Sequence, residues 1–248
     1  MPDKLGYRKI VGVVIPSPNT AAEPEFASMQ PPGVTNQTAR IMTPIIPLVD
    51  EASFLRHVNT MQVGLMNAVE QIATCEPDHL IMGLSLETFW DGLEGSEKLL
   101  HSLAKRMGIG VSMGSNAILE GLRKLGAGRR IALLTPHPPL GNEKVRAFFT
   151  QAGYTVVRLK ALPFKNGLEY ARVTDAQLRD ALAELDAPDV DAIVQVGTNL
   201  PMSGFAAQAE LWLKKPVLAI NAVIYWHALR ASGIADQMDG FGTLLARH

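Results

Sequence analysis

The chain has 248 residues, 47% of them hydrophobic and 19% charged, with a formal net charge of −1. It can bury a substantial core, lacks the profile of a disordered chain, and has no Lys/Arg stripe or basic–aromatic interleaving, which excludes nucleic acid as a partner. A single cysteine excludes a disulfide framework, no apolar run is long enough to span a bilayer, and the polar stretch 1–9 predicts no signal peptide, so the expectation is a cytoplasmic protein without membrane contact.

In chain order, the β-branched run 10–15, closed by Pro16, predicts a buried strand. Thr20-Ala21-Ala22-Glu23 has capping-box spacing and predicts a helix start. Helical periodicity runs through 52–74 on Phe54, Leu55, Val58, Val63, Leu65, Met66, Val69 and Ile72. A strand is predicted at 79–83, a helix at 98–107, a strand at 108–113, and a helix at 116–125 closed by Gly126. The second half predicts strands near 131–135, 155–160, 192–196 and 216–220, with helices from Asn142, Thr174, Phe205 and Asn221. Strands alternating with helices predict an α/β fold of parallel sheets covered on both faces.

The halves also match segment by segment. Arg8-Lys9-Ile10 through Pro16-Ser17-Pro18-Asn19 parallels Arg129-Arg130-Ile131 through Thr135-Pro136-His137. Likewise 38–44 parallels 155–163, 76–85 parallels 187–199, and 111–117 parallels 217–222. Four pairs in one order predict two pseudo-symmetric repeats, each a parallel sheet flanked by helices, facing one another across a cleft. The expected divisions are a first half at 1–117, a second at 118–220, and a C-terminal helix and tail at 221–248 that returns to the first half.

Ligands of open α/β sheets bind beyond the carboxyl ends of the strands. That rule selects 16–20, 83–88, 135–142 and 197–201, with the loop 163–167. Gly83-Leu84-Ser85 and Gly197-Thr198-Asn199 hold equivalent places in the repeats. Glycine lets a ligand approach the backbone, while Ser85, Thr198 and nearby N–H groups suit a carboxylate. Each segment alone also reads as an ordinary strand-to-helix turn; the pairing favours a site. Asn19 and Asn166 read either as ligand-binding amides or as organisers of Asx turns. His137, set among prolines and expected to be rigid and partly exposed, suits a proton donor or carboxylate partner, although an isolated histidine is more often neither. Glu87 suits a general acid or base, a solvated loop carboxylate being the plainer reading. His227 reads as a packing residue, and Cys75 as an incidental thiol at the wrong end of its strand for catalysis. No nucleotide or zinc signature is present, so neither cofactor nor metal is expected.

Val13-Val14-Ile15-Pro16-Ser17-Pro18-Asn19-Thr20, with Glu23-Pro24-Glu25-Phe26 and Thr38-Ala39-Arg40-Ile41, resembles the opening of maleate cis-trans isomerases. Ile81-Met82-Gly83-Leu84-Ser85-Leu86, with Gly92 beyond, is similar to the matching segment of arylmalonate decarboxylases. Thr135-Pro136-His137, Asn166, Gly197-Thr198-Asn199-Leu200, Asn221 and Trp226 extend the likeness over nearly the whole chain. Both groups belong to the aspartate/glutamate racemase superfamily, which implies two pseudo-symmetric α/β halves with the site between them.

The resemblance also marks departures. The racemases and isomerases place one cysteine on each half and the decarboxylases keep one on the second; Gly83 and Gly197 occupy those positions here. The pocket tyrosine after Thr-Pro is His137, while Asn19 and Asn166 fall where the isomerases bind substrate carboxylates. What this implies is a cofactor-free lyase or isomerase acting on a small carboxylic or dicarboxylic acid through an enediolate-type intermediate, without thiol chemistry. Ser85, His137 and Glu87 would carry the chemistry, with Asn19, Gly83, Leu84, Asn166, Gly197, Thr198 and Asn199 binding substrate. A homo-oligomer is compatible with this. The alternatives are a non-catalytic carboxylate-binding protein and a hydrolase using water activated by Glu87 or His137.

Overall fold

The computed structural model describes residues 3–45 and 50–248; the first two residues of the polar leader lie outside it. Strands β1 (Lys9–Pro16), β2 (Val34–Ile41), β3 (His79–Met82) and β4 (Gly110–Met113) form one sheet, in the order β2-β1-β3-β4. Strands β5 (Arg130–Thr135), β6 (Thr155–Ala161), β7 (Ala192–Gln195) and β8 (Val217–Ala219) form a second, in the order β6-β5-β7-β8. All pairings are parallel. The four matched segment pairs fall on β1/β5, β2/β6, β3/β7 and β4/β8.

Central strands are buried on both faces and read as continuous apolar runs, such as Val11–Ile15 without Gly12 and Ile131 to Leu134. Strand β2 was not predicted as an element. Its sequence, Val-Thr-Asn-Gln-Thr-Ala-Arg-Ile, is polar in the middle because it is an edge strand, half exposed along most of its length. Its echo in β6 was the available signal.

The helices are α1 (Ala22–Ser28), α2 (Glu51–Ala73), α3 (Gly92–Met107), α4 (Gly114–Lys124), α5 (Pro139–Gln151), α6 (Asp175–Leu185), α7 (Ser203–Leu213), α8 (Ile220–Ala231) and α9 (Thr243–Arg247). Two sequence expectations are corrected here. Thr20 does not cap α1; the Asn19 side-chain oxygen accepts from the N–H groups of Ala21 and Ala22 instead. On α2, whose start is closed by an Asp50/Ser53 capping box, Phe54, Val58, Met61, Leu65, Ala68, Val69 and Ile72 face the core. Leu55, Val63 and Met66 point to solvent, because the buried stripe follows a seven-residue spacing that they do not share. Helices α3, α5 and α7 also start earlier than predicted, at Gly92, Pro139 and Ser203. Among the described residues no helix is long and apolar enough to cross a membrane.

Helices α4 and α8 pack on each other, and α8 continues onto α1, β3 and β4. Their crossing is close: a β-carbon on Gly121 would stand 3.0–3.3 Å from Leu244, Val223 and Leu218. Helix α8 is buried from Ile220 to Trp226, and Tyr225 stacks on Phe26 with 5.5 Å between ring centroids.

At the amino end of the first sheet a polar chain joins β3, β4, α8 and α4. His79 Nε2 lies 2.7 Å from Ser112 Oγ, which lies 2.6 Å from His227 Nδ1, and His227 Nε2 is 3.2 Å from the Glu120 carboxylate. His227 is therefore hydrogen-bonded as well as packed, in a chain that runs out to the half-exposed Glu120. Burial lowers the His79 pKa to about 4, with His227 and Lys9 adding to the shift. Since the unfolded chain takes up this proton near pH 6.5, the neutral His79 contributes stability that is complete above pH 6.5 and lost as pH falls towards 4. The unfolding free-energy difference between wild type and His79→Gln is expected to shift by about 2–3 kcal/mol in favour of wild type from pH 4 to 6.5, measured by denaturant titration.

Candidate active site

A cavity opens beyond the carboxyl ends of the central strands of both sheets. The end of β1 delivers Pro16, Pro18 and Asn19; the 3-10 turn after β3 delivers Ser85, Leu86 and Glu87; β5 delivers His137; β7 delivers Gly197, Thr198 and Asn199. Phe54 and His57 enter from the start of α2, Gly167 and Tyr170 from the segment after β6. About 70 Å³ is open to the centre of a water-sized sphere, room for several waters or one small molecule.

Seven of the residues selected from sequence thus meet in one cavity, and three do not line it. The Asn166 side-chain oxygen accepts from the N–H groups of Leu168 and Glu169 at 3.0 and 3.2 Å, an Asx-type turn. The Leu84 side chain packs in the core with Met82 and Met113. Gly83 offers its carbonyl to the Thr198 hydroxyl at 2.9 Å, and a β-carbon there would stand 2.5 Å from Ile15 Cγ2. His137 is buried rather than partly exposed, since Tyr170 stands edge-on to its ring at 6.3 Å and the other cavity walls close around it. His57, Phe54 and Tyr170 were not selected from sequence. No local motif marks them, and only the packing of distant elements brings them in.

Hydrogen bonds between the halves fix the cavity's shape. The Asn199 side chain accepts from the N–H groups of Thr20 and Ala21, and donates to the carbonyl of Gly167 at 2.7 Å. Asn19 donates to Thr198 Oγ1 at 3.2 Å. Arg40 donates to the carbonyls of Ser17 and Asn19 and pairs with Glu23, holding the loop after β1. Behind Thr198, the Glu25 carboxylate accepts from the N–H groups of Met202 and Ser203 at the start of α7 and from Asn221 Nδ2, while Asn221 also donates to the Thr198 carbonyl. A carboxylate at a helix amino end is favourably placed in the helix dipole.

These bonds determine which groups remain for a ligand. The Asn199 amide and the Thr198 hydroxyl hydrogen are engaged within the protein. By contrast, the backbone N–H groups of Ser85, Thr198 and Asn199, all on buried residues, donate to no group among the described residues. Buried N–H groups are nearly always paired, so unpartnered donors from both halves around one cavity suit a ligand acceptor. The Ser85 hydroxyl joins them, with His137 Nε2 at 3.4 Å.

Among the described residues no lysine or arginine lines the cavity. Burial lowers His137 to about 3, with His57 adding to the shift, and burial also lowers His57, so both rings are neutral at ordinary pH. Glu87 is pushed up to about 7 by burial. It is a carboxyl group poised to exchange a proton near neutrality rather than a solvated loop carboxylate. Its charge helps burial to raise the Tyr170 phenol, which stays protonated as a donor. The only cysteine, Cys75, is exposed at the end of α2 that precedes β3, at the opposite end of the sheet. Among the described residues no cluster of three His, Cys, Asp or Glu side chains is placed to hold a metal ion.

Comparison with known proteins agrees with this architecture. Residues 52–245 match the arylmalonate decarboxylase family. The maleate isomerase of Nocardia farcinica is 26% identical, covering 97% of this chain and 96% of that protein. The arylmalonate decarboxylase of Bordetella bronchiseptica is 30% identical, covering 66% of this chain and 69% of that one. Among solved structures, a Cys-to-Ser variant of the Nocardia farcinica maleate cis-trans isomerase with a covalently bound succinylcysteine intermediate superposes with a TM-score of 0.86 at 24% identity, covering 97% of this chain and 99% of that chain. An arylmalonate decarboxylase crystal structure superposes with a TM-score of 0.73 at 20% identity, covering 96% and 100%. With its paired parallel sheets and a family match over most of its length, the chain belongs to the arylmalonate decarboxylase family, a distant relative of the maleate isomerases within the aspartate/glutamate racemase superfamily.

Proposed function

We propose that this protein is a cofactor-independent lyase or isomerase that acts on a small carboxylic or dicarboxylic acid through an enediolate-type intermediate and uses no thiol. The observation that carries this reading is the set of unpartnered N–H groups on Ser85, Thr198 and Asn199 around the cavity that Glu87 also lines. A carboxylate seated on those donors receives more stabilisation as charge spreads into it, because preorganised donors act without reorganising. In a decarboxylation, the electron pair of the broken C–C bond would delocalise into the retained carboxylate. Protonated Glu87 would then give its proton to the α-carbon and regain one from solvent. In the Nocardia farcinica isomerase structure the intermediate is a succinylcysteine; with Cys75 outside the cavity, that covalent route is closed here.

Amide NMR tests the reading. Titration with phenylacetate or malonate is expected to move the Ser85, Thr198 and Asn199 N–H resonances downfield, as N–H groups gaining an anionic acceptor do. Saturating binding that leaves all three unmoved, or no binding by either acid, would contradict it.

A further inference from the structure

We propose that Ser85 is also an acyl-accepting nucleophile, with His137 as its base, so that the protein hydrolyses small activated carboxylic esters. The proposal uses the same cavity but forms no carbanion, and it stands whether or not the lyase/isomerase reading holds.

The geometry is specific to this hydroxyl. Ser85 Oγ has His137 Nε2 at 3.4 Å and no other partner among the described residues. Thr198, the other hydroxyl on the wall, already donates to the Gly83 carbonyl. The N–H groups of Thr198 and Asn199, on the opposing half, have no partner among the described residues and supply donors for an oxyanion. Nucleophile, base and oxyanion donors are the three parts acyl transfer needs.

In the step itself, Ser85 Oγ attacks the ester carbonyl carbon and its proton passes to His137 Nε2. The tetrahedral oxyanion sits on the N–H groups until the ester C–O bond breaks and the leaving alcohol takes the proton from His137. Water then attacks acyl-Ser85, again through His137, releasing the acid and restoring the hydroxyl. Ester and water become acid and alcohol, with no other reactant.

The surroundings set the limits of this activity. His137 makes no hydrogen bond through Nδ1 to any described residue, so no carboxylate steadies an imidazolium through that nitrogen. Burial keeps the ring neutral over the ordinary pH range, which makes it an available but weak base. Only esters with good leaving groups should react.

p-Nitrophenyl acetate is the probe. Expected are a burst of p-nitrophenolate, one acetyl group added by intact mass, and its location on Ser85 by peptide mapping. Ser85→Ala should lower the protein-dependent rate by about 100-fold or more and His137→Gln by about 10–100-fold, while Cys75→Ser leaves it unchanged. Phenylmethylsulfonyl fluoride should label the same serine. Acetyl groups found only on lysine, histidine or Cys75, or a Ser85→Ala protein as fast as wild type, would overturn the proposal. An unchanged His137→Gln rate would overturn the assignment of the base.

Discussion

Glu87→Gln is expected to lower kcat/KM for the carboxylic-acid substrate by about 10²–10⁴-fold, the usual contribution of a positioned proton carrier. The amide keeps the shape of the carboxyl group but holds no proton to deliver. Glu87 ionises near pH 7 because burial opposes its charged form, so at neutrality a large fraction is protonated. As the proton donor it should make wild-type activity fall as pH rises through 7; the variant should lack that limb. Stability should move the other way. A carboxyl whose pKa is raised in the folded state is destabilising once pH exceeds the unfolded value, because folding then opposes its ionisation. At pH 8 the variant should therefore melt at the same temperature as wild type or higher. A pH–rate profile alongside thermal denaturation checks both. A variant that melts normally and keeps wild-type kcat/KM would remove Glu87 from the chemistry.

The second large effect concerns the position to which family resemblance gives a cysteine on the second half. Gly197→Cys is expected to destabilise the protein by about 2–5 kcal/mol and lower Tm by about 5–15 °C. Gly197 has φ of +110°, a conformation that side chains rarely adopt, and a β-carbon there would lie 2.6 Å from the Pro136 ring. Backbone strain and a collision with a rigid ring add together. Gly126→Ala separates the two, since Gly126 also has positive φ but open space around its α-carbon, and it should cost only about 1 kcal/mol. Calorimetry of the two variants checks the difference. The wall of the cavity is thus shaped around glycine at this position, not merely truncated there. A Gly197→Cys protein melting with wild type would show that Pro136 yields easily.

How much was legible in the sequence depended on how local each cause was. The buried strands declared themselves through β-branched runs, and the repeat placed the segments of each half on equivalent strands. Where a partner came from far along the chain, the reading failed or stayed open. Thr20 has the spacing of a helix cap, yet Asn19 accepts from the first N–H groups of the helix instead, and Asn199 from the other half accepts from those of Thr20 and Ala21. Glu87 looks like an ordinary loop carboxylate until the walls from α2 and from Tyr170 half-bury it. Asn166 shows the opposite outcome: its Asn-Gly context described a turn, and a turn is what the side chain makes. His57 and Tyr170 carry no signal in their own neighbourhoods, because what makes them cavity residues is the docking of one half on the other.

The central claim is carbanion chemistry without a thiol, and proton NMR in D2O on the Cys75→Ser protein tests it most directly. The substrates would be maleate, aryl- and alkylmalonates, 2-aryl acids and aspartate. The expected result is isomerisation, loss of CO2 or deuterium at the α-carbon for at least one acid, at the wild-type rate. Turnover by wild type that disappears with Cys75, or no reaction with any acid that binds, would contradict the account.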